Sequence, residues 1–291
     1  MTLRIGALQY PVTRIASLTG YADKLDRLVA EGVAGGGELL LMPEYASMEV
    51  ASAYCAIADP LAERDAVCAV SGELLAIMRD TARRHGVWLA PGTVPWREGG
   101  LVVNRAPLIA PDGRVAFHDK QVMTRFEAEQ WHVAPGRPPQ VFDTPWGRLG
   151  IAICYDVEFP SVVRTLTEAG AWLVLAPTCT DTAHGFNRVR ISGRARAVEN
   201  QCFVAVSPTV GDAPWLGSLD SNVGRAGVYG PADRGFPADG IIAEGTGEGW
   251  LFADLDPARL HAVRQDGAVR NFRDWPAQVL PATPALFEDM P

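Results

Sequence analysis

No stretch of the chain approaches the ~20 consecutive apolar residues needed to cross a bilayer. The opening, Met1-Thr2-Leu3-Arg4-Ile5, lacks the long apolar core of a secretory leader. A cytoplasmic protein without a membrane partner is therefore expected. Positive charge is short as well. The 26 Lys and Arg face 34 Asp and Glu, and the net charge of −8 argues against a nucleic-acid surface. Cysteine is sparse: Cys55, Cys68, Cys154, Cys179 and Cys202 are an odd number, widely spread, with no CxxC pair. That pattern fits a reducing compartment and not a disulfide framework. There is no HExxH, and Cys179 with His184 is an isolated pair, so no metal site is expected. A P-loop and a GxSxG elbow are also missing, and Gly245-Thr-Gly247-Glu-Gly249 lacks Rossmann spacing and reads as a turn.

What the 291 residues do contain is a steady alternation of short apolar runs with helical patterns. Leu3–Gln9, Leu39–Met42, Val87–Pro91, Leu149–Cys154, Trp172–Ala176, Cys202–Ser207 and Trp250–Asp254 read as strands. Ile15–Ala34, Glu73–His85, Pro160–Ala169, Asn187–Asn200 and Pro257–Arg264 read as helices. Pro111-Asp112-Gly113 marks a hairpin between Leu101–Ile109 and Val115–Lys120. Mixing βαβ units with hairpins predicts an α/β protein with mixed sheets. The Gly- and Pro-rich segment Thr209–Gly240 reads as a structured surface loop, because strands resume after it. One domain, 1–291, is expected. Its tail, 271–291, carries Trp275, Leu280 and Phe287 among four prolines and is apolar enough to pack on a neighbouring subunit.

Three residues stand where chemistry is usually placed, each at the end of its own strand. Cys154 follows Leu149-Gly150-Ile151-Ala152-Ile153 and precedes a turn into a helix with Pro160 at its start. Backbone N–H groups at such a junction stabilise an anion and favour a thiolate. Glu44 follows Leu39-Leu40-Leu41-Met42-Pro43; partial desolvation there raises a carboxyl pKa and makes a base for neutral pH. Lys120 ends the second hairpin strand, where its ammonium can meet an oxyanion. None of the five histidines, His85, His118, His132, His184 and His261, has an obvious thiol-protease context. Read singly, each of the three has an ordinary alternative: an inert buried cysteine, a solvated loop acid, an edge-strand lysine.

Taken in chain order they carry more. Arg4-Ile-Gly-Ala-Leu-Gln9, Leu41-Met-Pro-Glu44, Lys120, Gly150-Ile-Ala-Ile-Cys-Tyr-Asp-Val-Glu-Phe-Pro160 and Arg194-Ala-Arg-Ala-Val-Glu-Asn-Gln201 together resemble the nitrilase superfamily of carbon–nitrogen hydrolases, from residue 4 to about Trp250. The resemblance implies a four-layer α-β-β-α sandwich with two mixed β-sheets. It implies Cys154 as nucleophile, Glu44 as general base, and Lys120 with the Tyr155 backbone N–H as oxyanion donors. Glu127 would hold the lysine, with Glu129 as a less well spaced rival. No metal or organic cofactor is implied.

Pairing into a homodimer or higher homo-oligomer, through the Arg194–Asn200 helix and the helix after Cys154, is implied too. Arg188, Arg190, Arg194 and Arg196 read equally as makers of ion pairs within the chain. Members that act on nitriles usually show Cys-Trp-Glu, whereas this chain has Cys154-Tyr155-Asp156, the amidase-like form. The expected partner is a small-molecule amide. An N-carbamoyl amino acid or amine, a nitrile, transfer of the acyl group to an amine or alcohol, and a glutaminase working in a complex all stay open. Tyr45, Trp131, Tyr155 and Thr178 are the candidate substrate contacts, the segment 180–186 the expected mouth, and Arg125 and His132 candidate carboxylate binders. Ser161 departs from the family's usual Glu after Phe-Pro.

Overall fold

The computed structural model describes residues 1–275. Fourteen strands form two mixed halves that join at one point. The first half uses β1 (Leu3–Pro11), β2 (Leu39–Leu41), β3 (Trp88–Ala90), β4 (Val94–Glu98), β5 (Leu101–Ile109) and β6 (Val115–Asp119). The second uses β7 (Val141–Thr144), β8 (Gly147–Ile151), β9 (Leu173–Thr178), β10 (Phe203–Asp212), β11 (Ser221–Asn222), β12 (Gly227–Tyr229) and β13 (Ile241–Glu244). The last strand, β14 (Gly249–Leu255), returns to lie antiparallel beside β1. Parallel pairs β1–β2–β3 and β8–β9–β10 form the two centres. The halves meet where Tyr10 pairs with Thr209 and Pro11 with Val210.

The helices are α1 (Leu18–Ala34), α2 (Pro60–Ala69), α3 (Ser71–His85), α4 (Arg125–Glu129), α5 (Pro160–Glu168), α6 (Ala183–Asn200), α7 (Pro257–Asp266) and α8 (Asn271–Asp274). In α1, Tyr21, Leu25, Leu28, Val29 and Gly32 recur on one buried face. Its start is three residues later than the apolar pattern suggests, because Ser17 accepts a hydrogen bond from the Gly20 N–H and caps it. Gly35 ends it under the Phe252 ring, where a Cβ would come within 2.2 Å of that ring. For α6 the start is earlier than expected, at Ala183, with Thr182 as cap. The sequence reading missed α2, α4 and a short 3-10 helix at Ala46–Ala53.

Strand alternation sorts the core. Leu39 and Leu41 share one buried cluster with Leu3 and Ile5, and with Ile151, Leu173 and Leu175 of the second half. Leu40 and Met42 share another with Leu25 and Leu28 of α1 and Leu74 and Met78 of α3. The first sheet thus has helices on one face and the second sheet on the other. All four side chains from Leu39 to Met42 are at most 1% exposed. Burial on that scale contributes about 1.5–3 kcal/mol per side chain, so the run is held firmly at the base of Glu44. Val163 and Leu166 of α5 and Val189 and Ala197 of α6 join the cluster of the second sheet.

The arginines of α6 find partners within the chain. Arg188 pairs with Glu158, Arg190 with Glu244 and Arg196 with Glu199, and Arg194 donates to the Asp239 carbonyl. At the end of the described chain, Arg164 lies over the rings of Phe272 and Trp275. The remainder of the predicted tail, with Leu280 and Phe287, lies outside the described residues. Among the described residues no helix is long and apolar enough to cross a membrane.

Candidate active site

Four chain segments deliver the site, and each is fixed by its own backbone. Glu44 leaves β2 through Pro43, after Met42 N–H donates to the Ala90 carbonyl. Gly92 lets the neighbouring strand's exit pass directly against this turn. Its φ is +90°, and a Cβ there would sit 1.9 Å from the Pro43 carbonyl oxygen. Tyr45 adopts φ +57°, and its N–H donates to Thr93 Oγ1 at 3.0 Å. Lys120 follows β6 and donates its N–H to the Asn104 carbonyl at 2.9 Å. Glu127 is the third residue of α4. Thr124 caps that helix, and the Glu127 side chain accepts from the Thr124 N–H in return. Cys154 lies in the turn after β8 with φ +47°, a left-handed conformation that costs a side-chain-bearing residue on the order of 1–3 kcal/mol and aims it off the strand.

The side chains converge. Lys120 Nζ lies 2.8 Å from Glu44 Oε1 and 2.6 Å from Glu127 Oε2. Tyr45 Oη donates to Glu127 Oε1 at 2.8 Å, and Asn104 Nδ2 donates to Glu44 Oε1 at 2.9 Å. Cys154 Sγ faces the Cys179 carbonyl oxygen at 3.6 Å. All of Glu44, Lys120, Glu127 and Cys154 are buried.

Burial pushes the Glu44 carboxyl up to about 7, against the pull of Lys120 and a hydrogen bond with Cys154. Burial also works on Glu127, but Lys120, Thr124 and Tyr45 outweigh it and hold its carboxyl below the usual range. Burial and the nearby Glu44 push the Cys154 thiol well up, and the two carboxylates keep Lys120 charged despite its desolvation. The resting pair is therefore a thiol beside a carboxylate that can take its proton near neutral pH. Beside it stands a fixed cation suited to a developing oxyanion.

A cavity of about 540 Å³ opens onto these groups. Tyr45, Phe126, Trp131 and Tyr155 give it an aromatic lining, while the exposed Arg125, Asp181 and Asp220 mark its mouth. Thr180, Asp181 and Gly185 line it, as expected of the segment 180–186. Thr178 does not: its Oγ1 donates to the Ser207 carbonyl inside the sheet. Strand alternation turns Thr178 away and leaves the next residue, Cys179, to line the cavity. Glu129 pairs with exposed Arg125 and not with Lys120, so the rival spacing fails. His132 is exposed and outside the cavity lining. Asn104 was passed over in the sequence, although an asparagine inside the apolar strand Leu101–Ile109 was a visible signal. Among the described residues no group of three or more His, Cys, Asp and Glu is arranged to hold a metal ion.

The sequence profile of the carbon–nitrogen hydrolases matches residues 4–265. The chain belongs to that family, within the nitrilase superfamily. This carbon–nitrogen hydrolase is 30% identical over 274 residues to a probable hydrolase, YhcX, of Bacillus subtilis, covering 94% of this chain. It spans only about half (53%) of that relative's length. It is 26% identical to the omega-amidase NIT2 of Danio rerio, over 90% of this chain and 91% of that one. A crystallised amidase from Nesterenkonia sp. superposes with a TM-score of 0.70 at 29% identity, covering 94% of this chain and 96% of that one. A variant of the AN1 amidase from Nesterenkonia sp. carries the acetamide moiety of fluoroacetamide covalently on its active-site cysteine. That structure superposes at a TM-score of 0.71 with 28% identity, covering 94% and 93% of the two chains.

Proposed function

We propose that this carbon–nitrogen hydrolase is a thiol amidase that cleaves the C–N bond of a small amide through a thioester on Cys154. The reading rests on one observation above the rest. A carboxyl poised near pH 7, a buried ammonium and a thiol meet at one cavity whose size suits a small molecule.

In this mechanism Glu44 takes the proton of the Cys154 thiol as sulfur attacks the amide carbon. The oxyanion forms against Lys120 and the Tyr155 N–H, in the short 3-10 helix that Cys154 itself opens. Glu44 passes its proton to the departing nitrogen, the C–N bond breaks, and a thioester remains. Water then adds to the thioester with Glu44 taking its proton, the C–S bond breaks as Glu44 returns that proton to the Cys154 sulfur, and the acid leaves. Glu127 is ionised, held by Lys120 and Tyr45, and keeps the ammonium in place throughout. Tyr45, Trp131 and Tyr155 contact substrate. The names of the omega-amidase and amidase relatives support hydrolysis of an amide, and Cys154-Tyr155-Asp156 favours an amide over a nitrile. One domain, a cytoplasmic setting and pairing of two copies through α5 and α6 complete the reading.

The test is ammonia release from a panel of primary amides and carbamoyl compounds. Release by the wild type and none by Cys154→Ala supports the reading. Release by both at equal rates overturns it.

A further inference from the structure

Asp156 is fully buried and belongs to none of the groups that meet at the cavity. Its carboxylate sits between two backbones. Oδ1 accepts from the Val122 N–H at 2.8 Å and from the Gln121 N–H at 3.2 Å. Oδ2 accepts from the Ile153 N–H at 3.2 Å, with a longer contact to the Gln121 N–H at 3.3 Å. Gln121 and Val122 directly follow Lys120, and Ile153 directly precedes Cys154. One carboxylate therefore ties the peptide after the ammonium, whose Val122 lies 34 residues from Asp156 in sequence, to the peptide before the thiol.

Among the described residues no hydrogen bond other than those of Asp156 links these two short stretches. The Lys120 N–H goes to Asn104, the Lys120 carbonyl accepts from Gly136, and the Ala152 N–H goes to Leu175. The bonds to Asn104 and Leu175 each anchor one stretch to its own sheet, and the bond from Gly136 ties the lysine stretch to the loop before β7. The Cys154 backbone is itself in a left-handed conformation that only its surroundings can maintain. Burial pushes the Asp156 carboxyl up to about 6, with Lys120 and the N–H donors pulling it back, so it is ionised at neutral pH.

We propose that Asp156 is a positioning residue that sets the distance between the Lys120 ammonium and the Cys154 sulfur. The inference rests on the thioester reading of the same site. Its chemistry makes a specific demand: both carboxylate oxygens must be acceptors, because each faces N–H donors. An isosteric asparagine has one acceptor and one donor. It can serve the lysine side or the nucleophile side, but not both.

The experiment compares wild type, Asp156→Asn and Asp156→Glu, with Leu28→Ala as a variant destabilised away from the site. Two readouts are taken on folded protein. The first is the pH dependence of Cys154 alkylation by iodoacetamide, which needs no substrate. The ammonium favours the thiolate, so a retreating Lys120 moves that profile to higher pH in Asp156→Asn and leaves it unchanged in Leu28→Ala. The second is turnover of whichever amide the wild type hydrolyses. Misplacement of about 1 Å costs on the order of 100-fold, so kcat falls by about that factor in Asp156→Asn while KM stays within about threefold. Asp156→Glu keeps both acceptors and recovers part of each effect. It also carries the test if the asparagine variant does not fold, since a shift of the carboxylate by one methylene still displaces the alkylation profile. An unchanged alkylation profile in a folded Asp156 variant, or a shift of equal size in Leu28→Ala, overturns the proposal. A shifted profile with no amide turned over by the wild type upholds the positioning and overturns the amidase reading instead.

Discussion

Replacing Lys120 by methionine is the sharpest perturbation of the charge arrangement. Methionine fills much of the same space without the charge. In the wild type the ammonium lies 2.8 Å from Glu44 and 2.6 Å from Glu127, with all three side chains at most 3% exposed. Without it, two buried carboxylates face each other with Tyr45, Asn104, Thr124 and the Cys154 thiol as the remaining donors. Removing one partner of a buried ion pair costs about 3–5 kcal/mol. The cost must depend on pH. Glu127 is held below its usual value in the wild type, so its contribution to stability is present above the unfolded value and lost as pH falls through the folded one. Glu44 is raised to about 7, so its ionised form weighs against the folded state as pH rises from the unfolded value through 7. Losing the cation moves both carboxyls upward, and at acid pH both bind protons and the repulsion vanishes. Urea unfolding of wild type and variant should therefore differ by about 3–5 kcal/mol near pH 8 and by less than half of that near pH 5. Activity falls by about 10²–10³ through loss of the oxyanion donor. An equal difference at both pH values, or none near pH 8, refutes the coupling of the two carboxylates through Lys120.

Three further outcomes follow from the same geometry. Gly92→Ala places a methyl group on the Pro43 carbonyl at a position with φ +90°, so it should cost at least about 2 kcal/mol in unfolding and lower kcat by displacing Glu44; wild-type stability would contradict the close approach. Because Glu44 must be ionised to act and its carboxyl sits at about 7, kcat/KM should decline about tenfold per pH unit below that value, and a plateau reaching pH 5 would rule it out as the base. A second buried pair, Lys24 with Glu49 at 2.7 Å, braces the 3-10 helix that follows Tyr45, so Lys24→Met should cost about 3–5 kcal/mol and show as a melting temperature lower by on the order of 10 °C, whereas a change under about 1 kcal/mol would show the pair to be dispensable.

Much of this site was legible because its residues interrupt patterns. Glu44 and Cys154 each end an apolar run, and Lys120 closes a hairpin strand, so a reader of the sequence sees polar groups where a core should continue. The order of these pieces carried the family. Glu127 was legible only by its spacing from Lys120; its actual anchor, the capping box with Thr124, follows the Thr-x-x-Glu signal and was missed. Asn104 and Asp156 escaped because their partners lie 60 and 34 residues away, and nothing local shows a side chain which distant backbone it will meet. Thr178 failed for a simpler reason. Adjacent strand residues face opposite ways, and proximity in sequence to a strand end does not say which of two neighbours turns inward. Element cores were read well and element ends less so, since Ser17 and Thr182 set the helix starts by capping and not by apolar spacing.

The central claim is that Cys154 carries the acyl group. Acid-quenched samples of wild type and Cys154→Ala, mixed with primary amides and carbamoyl compounds, can be weighed intact and digested to locate any adduct, with ammonia measured in parallel. The account predicts ammonia from the wild type alone and any thioester adduct on the peptide containing Cys154. Ammonia released by Cys154→Ala at the wild-type rate, or an adduct on Cys179 in place of Cys154, would contradict it.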